Sequence, residues 1–534
     1  MLFKGSTLIG SFELRGKDLL GRVGKIYTKS GSLETPALLP VVDPFDPIVK
    51  VNELSVKMGF QGIMVNAYLL KKKAGEDTTP LRDRLGFQGI ISTDSGAYQI
   101  LEYGEVDVTP LEILKYQETV STDVGVILDV PTGYDLDKSR AKWTVEETIR
   151  RADLSLNTLT RKDIVWMGPI QGGVHLDLLA YSAREMSRRK FNMLALGSPT
   201  QVMERYMFKT LIDMMLTVKM NVPVDRPLHL FGAGHPMMLA LAVACGFDTF
   251  DSASYALYAK AERYLTSYGT YRLSDLECFP CVCDECVKHS PREVETFIKH
   301  RRVSFLAKHN LWVCKQEMLR IKQAILDGRL WELVRQRANS HPTLYQAFKH
   351  LKDYWRILKA HSTPVKRRGL FYFSTEDLHR PELRTYSEKL ISEYSKPRRM
   401  NELILIPAPD EKPYHKFLLE NGVPYQEAWR QHLCFYGVPF GVVPIELDDV
   451  YPVSQTEVSD REEEESMRAM APTIIRYVEE KNYDAVYFLV KEGSHWRSLS
   501  SRLRSVQKKK GKTFREVRFK VNLVKRLKET LKTC

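Results

Sequence analysis

The chain has no long apolar segment. None of its 534 residues lies in a run of about 18 uninterrupted apolar residues, which a membrane-spanning helix requires. The first residues, MLFKGSTLIGSFELRGKD, mix charged and apolar side chains and lack the apolar core and cleavage site of a signal peptide. These absences predict a soluble, cytoplasmic protein with no membrane segment.

Cysteine is also scarce. The chain has eight cysteines, and four of them fall within the nine residues 278–286. A disulfide scaffold would spread its cysteines more evenly over a much shorter chain, so this clustering favours metal ligation in a reducing compartment.

The clustered cysteines have the spacing of a zinc site. Cys281, Cys283 and Cys286 form a C-x-C-x2-C set, and His309 follows after a helical stretch. Three thiolates and one imidazole fill a tetrahedral zinc and leave no open position, so we predict one structural Zn2+. Two neighbouring residues are alternative ligands, Cys278 and His289.

Positive charge is concentrated at one end of the chain. The net charge is +13, and residues 497–534 hold 14 Lys/Arg against two acids, which leaves about +1 for the rest. Such a segment favours contact with phosphate, and the interleaved Trp496, Phe514 and Phe519 favour stacking as well. A merely solvated or interface-forming basic helix is the alternative.

Residues 1–355 alternate short apolar runs with amphipathic helical patterns. The candidate strands are GIMVNA, GVILDV, IVWMGPI, MLALG and PLHLFGAG. Repeated βα units over about 250 residues predict an (α/β)8 TIM barrel, with a zinc-binding insertion at about 275–315. A doubly wound sheet is the alternative, but no Gly-rich phosphate loop at a first βα turn supports it.

The rest of the chain predicts a second, smaller domain. We expect a helical linker at 356–395, a small α/β domain at 396–496 and a basic helical tail at 497–534. The run LILIPAPDEKPYHKFLLENG indicates a strand, a turn and a helix, and the acidic segment near residue 463 precedes a helix and then a strand.

Four polar residues stand where barrel strands should end. They are Asp94 after GFQGIIST, Asp129 in GVILDV, Gln171 after IVWMGPI and Asp251 after GFDTF. Catalytic groups of barrel enzymes occupy this position, although a polar residue there is often only a turn former. One carboxylate can attack an anomeric carbon while a second handles the proton, so an acid pair is one candidate for glycosidic chemistry.

Several motifs together identify a family. STDSGAYQI, VPTGYD, GPIQGG, HLFGAGHP, FDSASYALYAK and CVCDEC…His resemble the tRNA-guanine transglycosylases, and the block around HLFGAGHP resembles the archaeal branch. The resemblance covers residues 1 to about 355. It implies exchange of guanine for 7-cyano-7-deazaguanine (preQ0) at tRNA position 15 in the D-loop, on the way to archaeosine.

The resemblance also implies residue roles. Asp251 would attack C1′ of the ribose and form a covalent tRNA intermediate, and Asp94 would act as general acid and base. It places the base pocket at Ser95, Tyr98, Asp129, Gln171, Leu196 and Gly197. It implies tRNA and the free bases guanine and preQ0 as partners, and a homodimer.

Three departures from the family accompany these roles. Tyr98 replaces the usual Phe as the stacking residue, and the Gly-Gly pocket motif is Gly197–Ser198 here. The Gly-rich PUA-type domain of archaeal members is also missing, so either the basic tail or a separate PUA protein would supply its contacts. Residues 396–496 resemble the middle domain shared with archaeosine synthases. The alternative functions are therefore a synthase-like paralogue acting on preQ0-tRNA and a non-catalytic tRNA-binding subunit.

Overall fold

In a computed structural model that describes residues 9–99, 107–423, 430–461 and 463–533, the chain divides into two compact units. These units are Met1–Tyr354 and Trp355–Cys534. Within the described ranges, every helix is too short or too polar to cross a lipid bilayer.

The first unit contains a three-stranded antiparallel sheet, an eight-stranded parallel sheet and a hairpin. Its described strands are β1 (Phe12–Asp18), β2 (Gly21–Thr28), β3 (Gly31–Thr35), β4 (Ala37–Pro40), β5 (Gly62–Asn66), β6 (Ile90–Asp94), β7 (Val124–Val126), β8 (Val165–Ile170), β9 (Met193–Leu196), β10 (Leu228–Leu230), β11 (Thr249–Ser252), β12 (Arg263–Leu265) and β13 (Thr270–Arg272).

The parallel sheet confirms the predicted (α/β)8 barrel. Its hydrogen-bonded order is β4-β11-β10-β9-β8-β7-β6-β5, and a parallel bridge between Val41 and Met64 brings the two outer strands together. The backbone N–H of Val42 donates to the Met64 carbonyl at 2.8 Å across this seam. Apolar side chains such as Met167 and Ala195 fill the interior, as expected for a packed barrel core.

Helices connect these strands and form the outer layer, as in other α/β barrels. The described α-helices of the first unit are Val51–Val56, Ala67–Ala74, Leu81–Leu85, Pro110–Thr119, Lys138–Thr158, Leu176–Arg188, Thr200–Glu204, Phe208–Met220, Pro236–Ala244, Ser254–Lys260, Pro291–Glu295, Lys299–Asp327, Leu330–Ala338 and Pro342–His350.

The residue that caps a helix can also mark the end of the preceding strand. Asn66 ends β5, and its side chain accepts a hydrogen bond from the backbone N–H of Leu69 at 2.9 Å, which caps the helix Ala67–Ala74. The Asn66 side chain is thereby held at the C-terminal edge of the barrel, where its amide nitrogen can still donate to a neighbouring strand.

The second unit is an α/β domain with its own hydrophobic core. Its described strands are β14 (Leu370–Tyr372), β15 (Glu402–Pro407), β16 (Gln431–Gly437), β17 (Gly441–Pro444), β18 (Thr456–Val458), β19 (Ala485–Lys491) and β20 (Thr513–Phe519). Its described α-helices are Trp355–His361, Pro381–Ser392, Tyr414–Glu420, Glu464–Lys481, Ser498–Lys509 and Leu523–Thr533. Five strands form one sheet in the order β17-β16-β15-β19-β20, parallel except for β17.

The structure does not set the predicted linker and tail apart from this unit. In segment 356–395, Leu383 and Leu390 are buried in the second core. In segment 497–534, β20 pairs with β19 over its full length, and Leu503 and Leu527 are buried. Both segments carry apolar residues at regular spacing, and burial of that stripe joins them to the sheet. In segment 497–532 most basic side chains take the opposite, solvent-facing side, whereas Lys366 and Arg380 of the other segment are buried and pair with Glu382.

Candidate active site

The C-terminal ends of the barrel strands surround a cavity of about 570 Å3. Six of the predicted site residues line it: Asp94, Tyr98, Asp129, Gln171, Gly197 and Asp251. Two others, Ser95 and Leu196, are fully buried and lie outside its lining. The structure therefore brings together residues up to 157 positions apart along the chain, including both candidate catalytic acids.

Asp94, the last residue of β6, lies in this cavity beside two other acids. The Asn66 amide donates to its Oδ2 at 3.3 Å, and the backbone N–H groups of Ser95 and Gly96 also bond to the carboxyl. Burial, followed by the charges of Asp251 and Asp129, outweighs these donors and raises the pKa of Asp94 to about 7. A carboxyl group that titrates near neutrality can both donate and recover a proton.

Asp129 and Gln171 form a buried pair on another wall. The Gln171 Nε2 group donates to Asp129 Oδ2, while Gln171 Oε1 accepts from the backbone N–H of Thr132 at 2.9 Å. Burial raises the pKa of Asp129 to about 6, and the bond from Gln171 opposes that rise. The pair presents a carboxylate and an oriented amide, which can read the donors and acceptors of a planar heterocycle.

Ser198 holds this pair in place. Its hydroxyl donates to Gln171 Oε1 at 3.1 Å, and its backbone has a φ of +57°, which is unusual for a non-glycine residue. A side chain on the preceding residue would displace this amide, because a Cβ on Gly197 would lie 2.2 Å from Gln171 Nε2. The serine that departs from the family motif thus supplies an additional hydrogen bond to the amide.

Asp251 in β11 is held by two donors that the sequence analysis missed. His229 Nε2 lies 3.0 Å from Asp251 Oδ1, and the backbone N–H of Gly232 donates to the same oxygen at 2.9 Å. Thr249 Oγ1 lies 2.9 Å from His229 Nδ1 and can donate to it, which leaves the proton on Nε2 for the carboxylate. Both donors engage Oδ1, so Oδ2 is the oxygen that they leave for chemistry.

The four predicted metal ligands also come together. The ligand atoms of Cys281, Cys283, Cys286 and His309 all lie within 4.8 Å of one another. His309 Nε2 donates to the Leu265 carbonyl at 2.8 Å, so Nδ1 faces the sulfurs, with the Cys286 Sγ at 3.3 Å. This second bond fixes the imidazole tautomer, as is usual for metal-binding histidines. These residues could hold one tetrahedral metal ion, and zinc suits the donors.

The two alternative ligands lie outside this cluster. Cys278 is exposed, and His289 Nδ1 bonds to Glu293 Oε1 at 2.6 Å. The ring of Tyr264 stacks on His309, with 3.6 Å between ring centroids. The neighbouring Asn310 bonds to the Tyr255 carbonyl at 3.2 Å, on the helix that follows β11. The metal cluster is thus connected to the helix behind Asp251.

Comparison with known proteins decides the family. Residues 18–343 match the queuine tRNA-ribosyltransferase family. The chain belongs to that family. Residues 383–531 match a domain of unknown function, DUF5591.

Curated relatives extend over nearly the whole chain. A tRNA-guanine(15) transglycosylase of Sulfolobus acidocaldarius is 39% identical over 485 residues, covering 90% of this chain and 95% of the relative. That of Saccharolobus solfataricus is 39% identical over 511 residues, covering 92% and 99%. That of Pyrobaculum aerophilum is 40% identical over 480 residues, covering 89% and 94%.

The raised pKa of Asp94 predicts a pH-dependent cost in stability. The folded carboxyl titrates near 7 and an ordinary one near 3.8, so the folded state binds the extra proton between these values. Stability from this group is therefore present at low pH and is lost as pH rises towards 8. We expect Asp94→Asn, which cannot ionise, to gain stability relative to wild type across that window, on the order of a few kcal/mol at pH 8.

Urea unfolding of both proteins at pH 4.5 and pH 8 measures this difference. Near pH 4.5 the gain should be small, because wild-type Asp94 is still protonated in the folded state. A difference in unfolding free energy that stays constant between the two pH values would contradict the assigned pKa.

Proposed function

We propose that the protein exchanges guanine 15 of tRNA for preQ0 in archaeosine biosynthesis. The observation that carries this proposal is the meeting of Asp94 and Asp251 in one cavity at the mouth of the barrel. Membership of the family makes the protein a tRNA ribosyltransferase, and its relatives are named for guanine 15. Because the reacting atom lies inside a folded nucleic acid, the target nucleotide must be flipped out of its stack.

The chemistry follows from the two acids. Asp251 Oδ2 attacks C1′ of the ribose, the bond from C1′ to guanine N9 breaks, and a covalent ester to the sugar forms. Protonated Asp94 gives its proton to the departing guanine. In the second half, Asp94 takes a proton from the incoming base, whose N9 attacks C1′ and releases the Asp251 carboxylate. Each group therefore ends in its starting state.

His229 and Gly232 assist both halves of the reaction. Their N–H groups hold Asp251 Oδ1, so the carboxylate presents Oδ2 to the sugar in a fixed orientation. In the ester, Oδ1 becomes the carbonyl oxygen and keeps the same donors. Donors that stabilise the developing carboxylate also make it a better leaving group when the second base attacks.

The remaining cavity residues recognise the base. Asp129 accepts hydrogen bonds from ring N–H and amino groups, and Gln171 contacts the exocyclic groups. Tyr98 lines the cavity and offers an aromatic face for stacking. Ser198, through its bond to Gln171, fixes the orientation of the amide that reads the base.

Incubation of unmodified tRNA with labelled guanine tests the exchange. Wild type should incorporate label, and Asp251→Asn should lower incorporation by at least about 1000-fold because the attacking oxygen is lost. Asp225→Asn, at an exposed acid outside the cavity lining, is the matched control and should retain full activity.

Other outcomes point to the alternative functions. Wild-type protein that binds tRNA tightly but incorporates no label would indicate a non-catalytic subunit. Failure to incorporate label together with amidation of preQ0-tRNA would indicate a synthase-like paralogue.

We also propose that the cluster of Cys281, Cys283, Cys286 and His309 holds one structural zinc. Bonds of about 2.3 Å in a tetrahedron place sulfur ligands roughly 3.8 Å apart, which the observed clustering accommodates. Four protein ligands leave no position for water or substrate, so the metal would stabilise the fold and take no part in the exchange. The metal would stabilise the active site through the helix Lys299–Asp327, which carries His309.

Cys283→Ala should therefore lower both zinc content and melting temperature. Loss of one ligand opens the site, and exchange activity should fall only as the folded fraction falls. Zinc analysis and thermal unfolding measure the two effects, and Cys278→Ala at the neighbouring exposed cysteine is the control. A Cys283→Ala protein that keeps its zinc and melting temperature but loses exchange would contradict a structural role.

We further propose that the basic segment 497–532 contacts tRNA phosphates. Among its Lys and Arg residues, all but Lys512 are exposed. Trp496, just before this segment, was predicted to stack on bases. The structure gives that role no support, because Trp496 is buried against Tyr436 with 5.3 Å between ring centroids. Deleting the segment would remove β20 from its sheet, so charge neutralisation is the cleaner test. The homodimer and a separate PUA protein stay predictions.

Neutralising Lys508 and Lys509 should weaken tRNA binding and flatten its salt dependence. Each lost phosphate contact lowers the slope of log affinity against log salt by about 0.7 to 0.9. The double variant Lys508→Gln/Lys509→Gln is compared with Lys389→Gln/Lys416→Gln, at two exposed lysines of the same unit that pair with acids. Equal salt-dependence slopes in the two double variants would show that the segment is not part of the tRNA-binding surface.

A further inference from the structure

The catalytic cavity extends beyond the residues that base exchange uses. One part of its wall, which we name the aromatic lobe, is formed by Tyr206, Phe208, His235, Met237, Met238 and Tyr258. None of these residues has a role in the exchange proposed above. Their side chains are aromatic rings and thioethers, which offer polarisable surfaces to a flat ligand.

Tyr206 is held rigidly yet remains open. Its ring lies 4.7 Å from the imidazole of His341 and 5.8 Å from the ring of Phe208, which it meets edge-on. His341 is itself fixed, because its Nδ1 accepts from the backbone N–H of Thr343 at 3.3 Å. Even so, Tyr206 is 46% exposed at the cavity. A fixed, open aromatic ring loses little entropy when a ligand stacks on it.

The backbone of Tyr206 is unfavourable for a tyrosine. The residue follows the helix Thr200–Glu204 with a φ of +56°. Its N–H bonds to the Met203 carbonyl and that of Met207 to the Val202 carbonyl, both at 3.0 Å. These two bonds form the helix-ending motif in which glycine is usual at the position of Tyr206. The side chain occupies a position where local structure alone favours glycine, which points to a use for the ring.

Two further rings of the lobe, those of His235 and Tyr258, carry no charge. His235 and Tyr258 meet edge-to-face with 6.1 Å between ring centroids, and both line the cavity. Burial lowers the pKa of His235 to about 4, so its imidazole is neutral at physiological pH. Neutral rings in the lining suit an uncharged planar group and disfavour a charged one.

A cationic side chain, Arg205, immediately precedes Tyr206 in the chain. The Arg205 guanidinium lies 4.2 Å from the ring centroid of Tyr134 and is exposed to solvent. Glu204, which lines the cavity, is the acid nearest in sequence and would repel an anion from its own side. A phosphate next to a ring bound in the lobe would therefore lie on the Arg205 side.

We propose that the aromatic lobe is a second base-binding subsite, which stacks the nucleobase adjacent to the exchanged guanine on Tyr206. Arg205 then contacts the phosphate that joins the two nucleotides. This inference rests on the proposed function in taking tRNA as the substrate, and it adds a contact to a nucleotide that does not react. A neighbouring base that leaves its stack with the flipped guanine regains stacking in the lobe.

Binding of tRNA transcripts with single abasic nucleotides tests the subsite. The nucleotide on the 5′ or the 3′ side of guanine 15 is made abasic, and dissociation constants are measured for wild type and Tyr206→Gly. We expect one abasic transcript to bind wild type about 5- to 150-fold more weakly, the range that stacking of one base gives. Tyr206→Gly should bind intact tRNA more weakly than wild type by the same factor. It should bind the abasic transcript no more weakly than it binds intact tRNA.

Two controls separate stacking from folding. Tyr206→Phe keeps the ring and should bind intact tRNA within about twofold of wild type. Tyr181→Ala changes a tyrosine that is 42% exposed and lies outside the lobe, and it should have no effect. Tyr206→Gly should also keep or raise the melting temperature, because glycine favours the positive φ.

Several results would overturn the subsite. One such result is that wild type binds both abasic transcripts as tightly as intact tRNA. Another is that removing the base and removing the Tyr206 ring weaken binding independently, so that their two factors multiply when both are absent. A rise in the KM for free guanine with unchanged tRNA affinity would assign Tyr206 to the free base instead. The binding measurement does not depend on exchange, so the predicted losses without guanine incorporation would reject the proposed function and leave the subsite standing.

Discussion

The side chains of Asp94, Asp129 and Asp251 share one cavity, and the rest of the site depends on the burial of these carboxyl groups and on their mutual repulsion. Burial and the charges of Asp251 and Asp129 raise the pKa of Asp94 to about 7. A site that keeps one acid protonated near neutrality contains a proton donor beside a carboxylate, which the breaking and remaking of a glycosidic bond require.

Hydrogen bonds then give the two acids different surroundings. Asp251 has two N–H donors on one oxygen, from His229 and Gly232, which orient its carboxyl group. Asp94 has a long side-chain bond from Asn66 and the backbone donors of its own turn. The barrel supplies this asymmetry, because each acid lies at the end of a different strand and meets different neighbours.

Much of this arrangement follows from the sequence alone. Apolar runs ending in polar residues predicted the barrel strands, and the cysteine spacing predicted a cluster that the structure brings together. His229 was missed because a histidine between two leucines of a short strand gives no sign that it faces an acid on the next strand. Tyr206 was missed because its left-handed backbone and its place on the cavity wall arise from tertiary structure. The basic end of the chain was expected as a separate tail because its charges mask the apolar stripe that joins the sheet.

The proposed exchange requires a covalent bond between the ribose and the Asp251 carboxylate. The direct measurement is to trap the protein with tRNA during the reaction, digest the adduct, and locate the modified residue by mass spectrometry. We expect to find the sugar of nucleotide 15 joined through C1′ to the side chain of Asp251. A sugar attached to Asp94 or any other residue, or an exchanging enzyme that forms no adduct, would contradict it.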